Sequence, residues 1–127
     1  MVDDNGGNRP LSPHLTVYRL QMTMITSILN RMTGVALLLG GLLAVGWFLS
    51  ASISAAGFAT MDGLMTSWFG DLVMTGSLWA LWFHTLAGVR HLIWDTGRGL
   101  EMATAEMLGW GIVIGSVVLT LLTIVII

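Results

Sequence analysis

The sequence predicts an all-α integral membrane protein, a three-helix bundle with its N-terminus inside and its C-terminus outside. Three observations lead there. The 127 residues are 55% hydrophobic and only 9% charged, with mean hydropathy +0.84, whereas a soluble domain carries about 25% charge. Three stretches, Met32 to Met61, Leu72 to Val89 and Met107 to Ile127, contain no Asp, Glu, Lys or Arg. Every positive charge is an arginine, and all five fall on one side of a three-span topology.

A helix needs about 20 apolar residues to cross the roughly 30 Å hydrocarbon core. The first and third stretches meet that alone, and the second does so when Arg90 and His91 reach an interface, as long polar side chains at helix ends do. The spans fall near 30–52, 71–94 and 107–127. Residues 1–26 precede them as an N-terminal inside or interfacial segment. Pro10 and Pro13 disfavour helix in its first half. Leu15, Val17, Tyr18, Leu20, Met22, Met24 and Ile25 alternate with polar residues in its second half, as in a segment lying in the headgroups or against a soluble partner. Residues 27–127 form the three-span region, with 53–70 as a short, partly helical connection, and leave no room for a second folded domain.

Orientation follows from the arginines. Arg9, Arg19 and Arg31 precede or begin the first span, Arg90 and Arg98 flank the loop between spans two and three, and the remaining loop holds only Asp62 and Asp71. The positive-inside rule then places the N-terminus in the cytoplasm or matrix. Without cysteine the chain has no disulfide, cysteine-ligated iron–sulfur cluster or thiolate zinc site, and a net charge of -2 gives no sign of nucleic-acid binding. Residues 1–26 lack the apolar core of a signal peptide, and Asp3 and Asp4 do not suit an Arg-rich, acid-poor transit peptide. A bacterial cytoplasmic membrane is favoured over a mitochondrial inner membrane.

The second span carries the chemistry. Gly76, Ala80, His84 and Gly88 recur every fourth residue and lie on one slowly rotating face. Small residues there let a neighbouring helix or a flat macrocycle approach. His84 sits deep in the apolar segment, where an ionisable side chain costs several kcal/mol unless compensated. A neutral imidazole at that depth suits a haem iron; equally, it can donate a hydrogen bond to a carbonyl of a neighbouring helix, or lie on a proton path. Gly88 leaves space for a porphyrin edge, and Arg90 and His91 near the inner surface suit anionic groups. His91 lies two turns, roughly 10 Å, from His84, whereas axial nitrogens stand about 2 Å either side of a metal. The two cannot share one iron, so a six-coordinate haem would take its second ligand from another chain, in a hetero-oligomer or in a homodimer sharing one haem. Gly111 and Gly115 in the third span repeat the four-residue spacing, which reads as helix packing.

At the entry to span one, Ser27, Asn30 and Arg31 stand at i, i+3 and i+4 on one helix face, followed by Thr33 and Gly34. A hydroxyl and a guanidinium together can hold a ligand on which negative charge develops, such as the carbonyl oxygens of a quinone. A plain anchoring role for Arg31 explains the same residues.

Taken together, Arg9-Pro10-Leu-Ser12-Pro13-His14-Leu-Thr-Val-Tyr18, Ser27-Ile-Leu-Asn30-Arg31-Met-Thr33-Gly34 and His84-x3-Gly88-x-Arg90-His91-x3-Asp95 resemble the cytochrome b membrane-anchor subunits of succinate dehydrogenase, respiratory complex II. The resemblance covers essentially the whole chain, and the joint occurrence of the three motifs is what makes it specific. It implies a membrane anchor that pairs with a second small anchor subunit, holds one haem b with it, and docks an iron–sulfur subunit and a flavoprotein subunit on the inner face. It makes His84 the axial ligand from this chain, with the partner anchor supplying the other. It places Arg31, His91 and Asn30 by the haem propionates and Ser27 and Arg31 at the ubiquinone site, where Asp95 is a candidate proton relay. The family often has His where this chain has Asn30; Asn can donate a hydrogen bond but cannot relay a proton, which leaves more of the propionate contact to Arg31. A haem-free scaffold for soluble subunits, a quinol:fumarate reductase anchor and a small transporter component are the alternatives.

Overall fold

The computed structural model describes residues 20–127, so Arg9, His14 and Arg19 lie outside the described residues. The described chain is all-helical: α1 Met22–Ile53, α2 Ala55–Met65, α3 Trp68–Asp95 and α4 Met102–Ile126. Three of these, α1, α3 and α4, are long and apolar enough to cross a membrane. In lipid a backbone must satisfy its own polar groups, and the helix does so within one segment. Leu-, Val- and Ala-rich runs without proline allow that here.

Each helix extends beyond the span expected from the uncharged runs. The expected 30–52 lies inside α1, 71–94 inside α3, and 107–127 ends with α4, which starts at Met102. With 32 residues α1 is about 48 Å long, more than the roughly 30 Å hydrocarbon core. Residues 22–26 continue into α1 without a break. The connection from 53 to 70 contains the helix α2, capped at its start by Ser54, whose Oγ accepts from the Gly57 N–H at 3.0 Å. Ser67 caps α3 in the same way through the Gly70 N–H. Between α3 and α4 the chain turns through Gly97 and Gly99, both with φ near +75° (+76° and +72°), a region that side chains with a Cβ rarely enter.

Helix α3 is central and packs on both α1 and α4. Phe83 and Ala87 of α3 and Ile112 of α4 form the buried core, with Leu29, Trp79, Leu86 and Val113 against them. Close approach falls on small residues: a Cβ at Gly40 would lie 2.6 Å from Ser77 Oγ, and one at Gly109 would lie 2.8 Å from Met22 Cγ. The Gly111 and Gly115 pair behaves as packing only in part. A Cβ at Gly115 would meet Leu86 Cδ1 at 3.1 Å, while Gly111 has open space beside it. The glycine that brings α4 to α1 is Gly109. Elsewhere leucine, isoleucine, valine and phenylalanine side chains cover the outside of the bundle, as lipid-facing surfaces require.

Candidate functional site

His84 projects from α3 toward α1. A carbonyl oxygen cannot donate, so the 3.1 Å contact between His84 Nδ1 and the Asn30 carbonyl requires the proton to sit on Nδ1. Thr33 Oγ1 lies 3.4 Å from the same nitrogen. Its own hydrogen is given to the Leu29 carbonyl at 2.8 Å or the Asn30 carbonyl at 3.0 Å, so toward the imidazole the hydroxyl acts as an acceptor. Gly34 brings the α1 backbone against the ring, where a Cβ would stand 3.2 Å from His84 Cε1. This is the hydrogen bond to a neighbouring carbonyl that a packing role would give. It uses one ring nitrogen and leaves Nε2 as a lone-pair donor without a hydrogen-bond partner among the described residues. A histidine bound through one nitrogen to a metal commonly fixes the other on a carbonyl in this manner.

Among the described residues, the stripe around His84 packs within the chain only in part. Ala80 is 2% exposed, yet a Cβ at Gly76 or Gly88 would meet nothing within 4 Å. Its two glycines therefore face space that another group could fill. Between α1 and α3, beginning beside Thr33 and Ala80, runs an apolar groove of about 420 Å³ that also includes Gly40 and Gly76.

The residues at the α1 entry stand together but not alike. Ser27 and Asn30 are half-buried and Arg31 is exposed. Asn30 Oδ1 is buried with no hydrogen-bond partner among the described residues. His91 is exposed on α3; its Nδ1–H donates to the Ala87 carbonyl at 2.8 Å and its ring lies 5.5 Å from that of Trp94. Asp95, the last residue of α3, is exposed and makes no hydrogen bond or ion pair with Ser27 or Arg31 among the described residues.

Arg90, next to His91 near the end of α3, turns into the bundle. It is only 2% exposed, its Nη1 donates to Thr26 Oγ1 at 2.7 Å, and its guanidinium lies 4.6 Å from the centre of the Trp94 ring. Neighbouring helix positions point about 100° apart, which turns Arg90 into the bundle while His91 looks out. Thr33 and the Asn30 carbonyl were not legible as partners of His84, because nothing local in the sequence sets the register of α1 against α3.

Residues 5–123 match the family described as succinate dehydrogenase/fumarate reductase transmembrane subunit. The chain is 50% identical over 126 residues to a succinate dehydrogenase cytochrome b556 subunit of Paracoccus denitrificans, covering 99% of this chain and 97% of that one. It is 36% identical over 114 residues to the subunit of the same name from Rickettsia bellii, covering 90% and 89%. Against a succinate dehydrogenase cytochrome b560 subunit of Reclinomonas americana it is 37% identical over 108 residues, covering 81% and 75%. Three membrane-length helices, the motifs around Asn30 and His84, and these likenesses together show that the chain belongs to the family of succinate dehydrogenase/fumarate reductase transmembrane subunits.

Proposed function

We propose that this chain is the haem b-binding anchor of a succinate:ubiquinone oxidoreductase, working with a second membrane anchor and holding an iron–sulfur and a flavoprotein subunit at the inner face. The observation that carries the reading is the 3.1 Å contact of His84 Nδ1 with the Asn30 carbonyl. With Nδ1–H fixed on the Asn30 carbonyl, Nε2 is free to bind iron without any proton leaving. Among the described residues no group of three or more His, Cys, Asp or Glu gathers around a point, so an iron bound here needs its other ligands from elsewhere: a porphyrin and a histidine of the second anchor. When bound, haem b supplies a one-electron redox centre. Arg31, His91 and Asn30 would hold its propionates, the first two from exposed positions.

For the quinone, Ser27 would donate a hydrogen bond to a carbonyl oxygen, and Arg31 would stabilise the negative charge that develops there as two electrons and two protons are taken up. The electrons come from succinate through iron–sulfur clusters of the partner. The protons come from the inner aqueous phase, where exposed Asp95 is a relay candidate. Residues 1–26 would lie on the inner side and 27–127 form the membrane anchor, with the C-terminus outside. The Paracoccus and Rickettsia relatives support a bacterial inner membrane.

The test is a dithionite-reduced minus oxidised spectrum of the intact complex and of its His84→Ala variant. A b-type spectrum that the substitution removes or shifts is expected. A spectrum identical in both would take His84 out of the iron site, and a complex without haem would reduce the role of the chain to docking.

A further inference from the structure

We propose that Arg90 is a positioning residue: through its hydrogen bond to Thr26 it fixes the rotation of the first turns of α1, and with it the direction in which Ser27 and Arg31 are presented. The inference rests on the quinone role given above to those two residues. Arg90 Nη1 donates to Thr26 Oγ1 at 2.7 Å. Thr26 is fully buried and immediately precedes Ser27. Its hydroxyl in turn donates to the Met22 carbonyl at 3.0 Å or the Thr23 carbonyl at 3.1 Å. A two-bond chain thus runs from the guanidinium on α3 to the opening turn of α1.

Among the described residues, no cap holds that turn. Gln21, the residue before α1, makes no side-chain cap, and no acidic residue stands in the first turn. An uncapped end leaves its first N–H groups unsatisfied and frays. On the opposite side α4 closes in at Gly109, where a Cβ would lie 2.8 Å from Met22 Cγ and 3.7 Å from Thr26 Cγ2. The entry of α1 is therefore clamped between Arg90 and Gly109. Since successive residues on a helix diverge by about 100°, a modest rotation of this turn would carry Ser27 and Arg31 away from a shared ligand.

A buried guanidinium is an expensive way to fill space. Arg90 Nε is buried with no hydrogen-bond partner among the described residues, and an aliphatic side chain of similar volume would pack at lower cost. What arginine adds is a planar, permanently charged fork that reaches across to α1 while the Trp94 ring supports one face.

Thr26→Val in the intact complex removes the hydroxyl, keeps the shape and leaves the charge of Arg90 in place. The expected result is a several-fold rise in KM for a short-chain ubiquinone, restored by Thr26→Ser. Succinate oxidation by a soluble dye and the haem spectrum should stay as in the wild type. Arg90→Lys, which keeps the charge but shortens the reach, should move KM in the same direction, and it decides the matter if Thr26→Val does not assemble. An unchanged KM in an assembled Thr26→Val or Arg90→Lys complex, beside a raised one in Ser27→Ala, overturns the positioning role and leaves the quinone site standing. A rise that Thr26→Ser does not reverse also overturns it. Unchanged KM in both Ser27→Ala and Arg31→Leu overturns the quinone site together with the inference.

Discussion

Gly34→Ala probes the contact that sets the state of His84. A methyl carbon there would stand 3.2 Å from His84 Cε1 and 3.6 Å from Nδ1. Non-bonded carbons rest at about 3.5–4.0 Å, so the ring must retreat by roughly 0.3–0.8 Å. Helix α3 cannot follow as a body, because Ala80, Phe83 and Ala87 are 2%, 0% and 0% exposed in a close-packed interior. The imidazole must turn instead, and the Nδ1 bond to the Asn30 carbonyl, already 3.1 Å, passes out of the usual range of about 2.7–3.2 Å. Losing such a bond costs about 0.5–1.5 kcal/mol, which corresponds to roughly two- to twelve-fold weaker haem retention. Gly41→Ala is the control. It lies in the same helix with nothing within 4 Å of its Cβ position, so it receives the same gain in helix propensity, about 0.5–1 kcal/mol, without touching His84. The assay is loss of the reduced-minus-oxidised haem signal from the detergent-solubilised complex to an excess of a haem-accepting apoprotein. Equal retention in the two variants would refute the reasoning.

Arg31→Leu should lower succinate:quinone activity while leaving succinate oxidation by a soluble dye intact; parallel assays on one preparation check this, and an undiminished quinone rate removes Arg31 from the site. Gly40→Val should destabilise the α1–α3 pair by about 1–3 kcal/mol, since even a Cβ at Gly40 would stand 2.6 Å from Ser77 Oγ. Thermal unfolding in detergent reads that loss, and an unshifted midpoint would mean the helices separate freely. Because the chain has no cysteine, a single introduced thiol reports orientation without background once this chain is separated from its partners. Arg98→Cys should react with a membrane-impermeant maleimide only from the inner side and Asp62→Cys only from the outer side, and the reverse pattern would invert the topology.

Three spans were legible because long uncharged runs leave a chain few alternatives in lipid. Their ends were not. Absence of charge marks hydrocarbon, whereas a helix continues through the headgroups, so α1 starts at Met22 and α4 at Met102, ahead of Arg31 and Glu106. Helix α2 was only half visible, since its 11 residues mix glycine with apolar positions and it is stabilised in part from outside, by Trp47 Nε1–H donating to Asp62 Oδ1 at 3.2 Å. His84 stood out as a lone ionisable group, but the carbonyl that holds it comes from 54 residues away and depends on how α1 slides against α3. The direction of Arg90 was not legible. Position near a helix end says nothing of which way around the helix a side chain points, and the hydroxyl of Thr26 and the ring of Trp94, both set by how the helices meet, receive it inside the bundle.

The partner that Asn30 offers to His84 is its main-chain oxygen, a group every amino acid carries. Exchange of the side chain at that position leaves the bond in place as long as α1 stays helical. Mutation there acts through the half-buried side chain and not through this bond. The protonation pattern of the histidine is inherited with the path of a helix and not with any one codon.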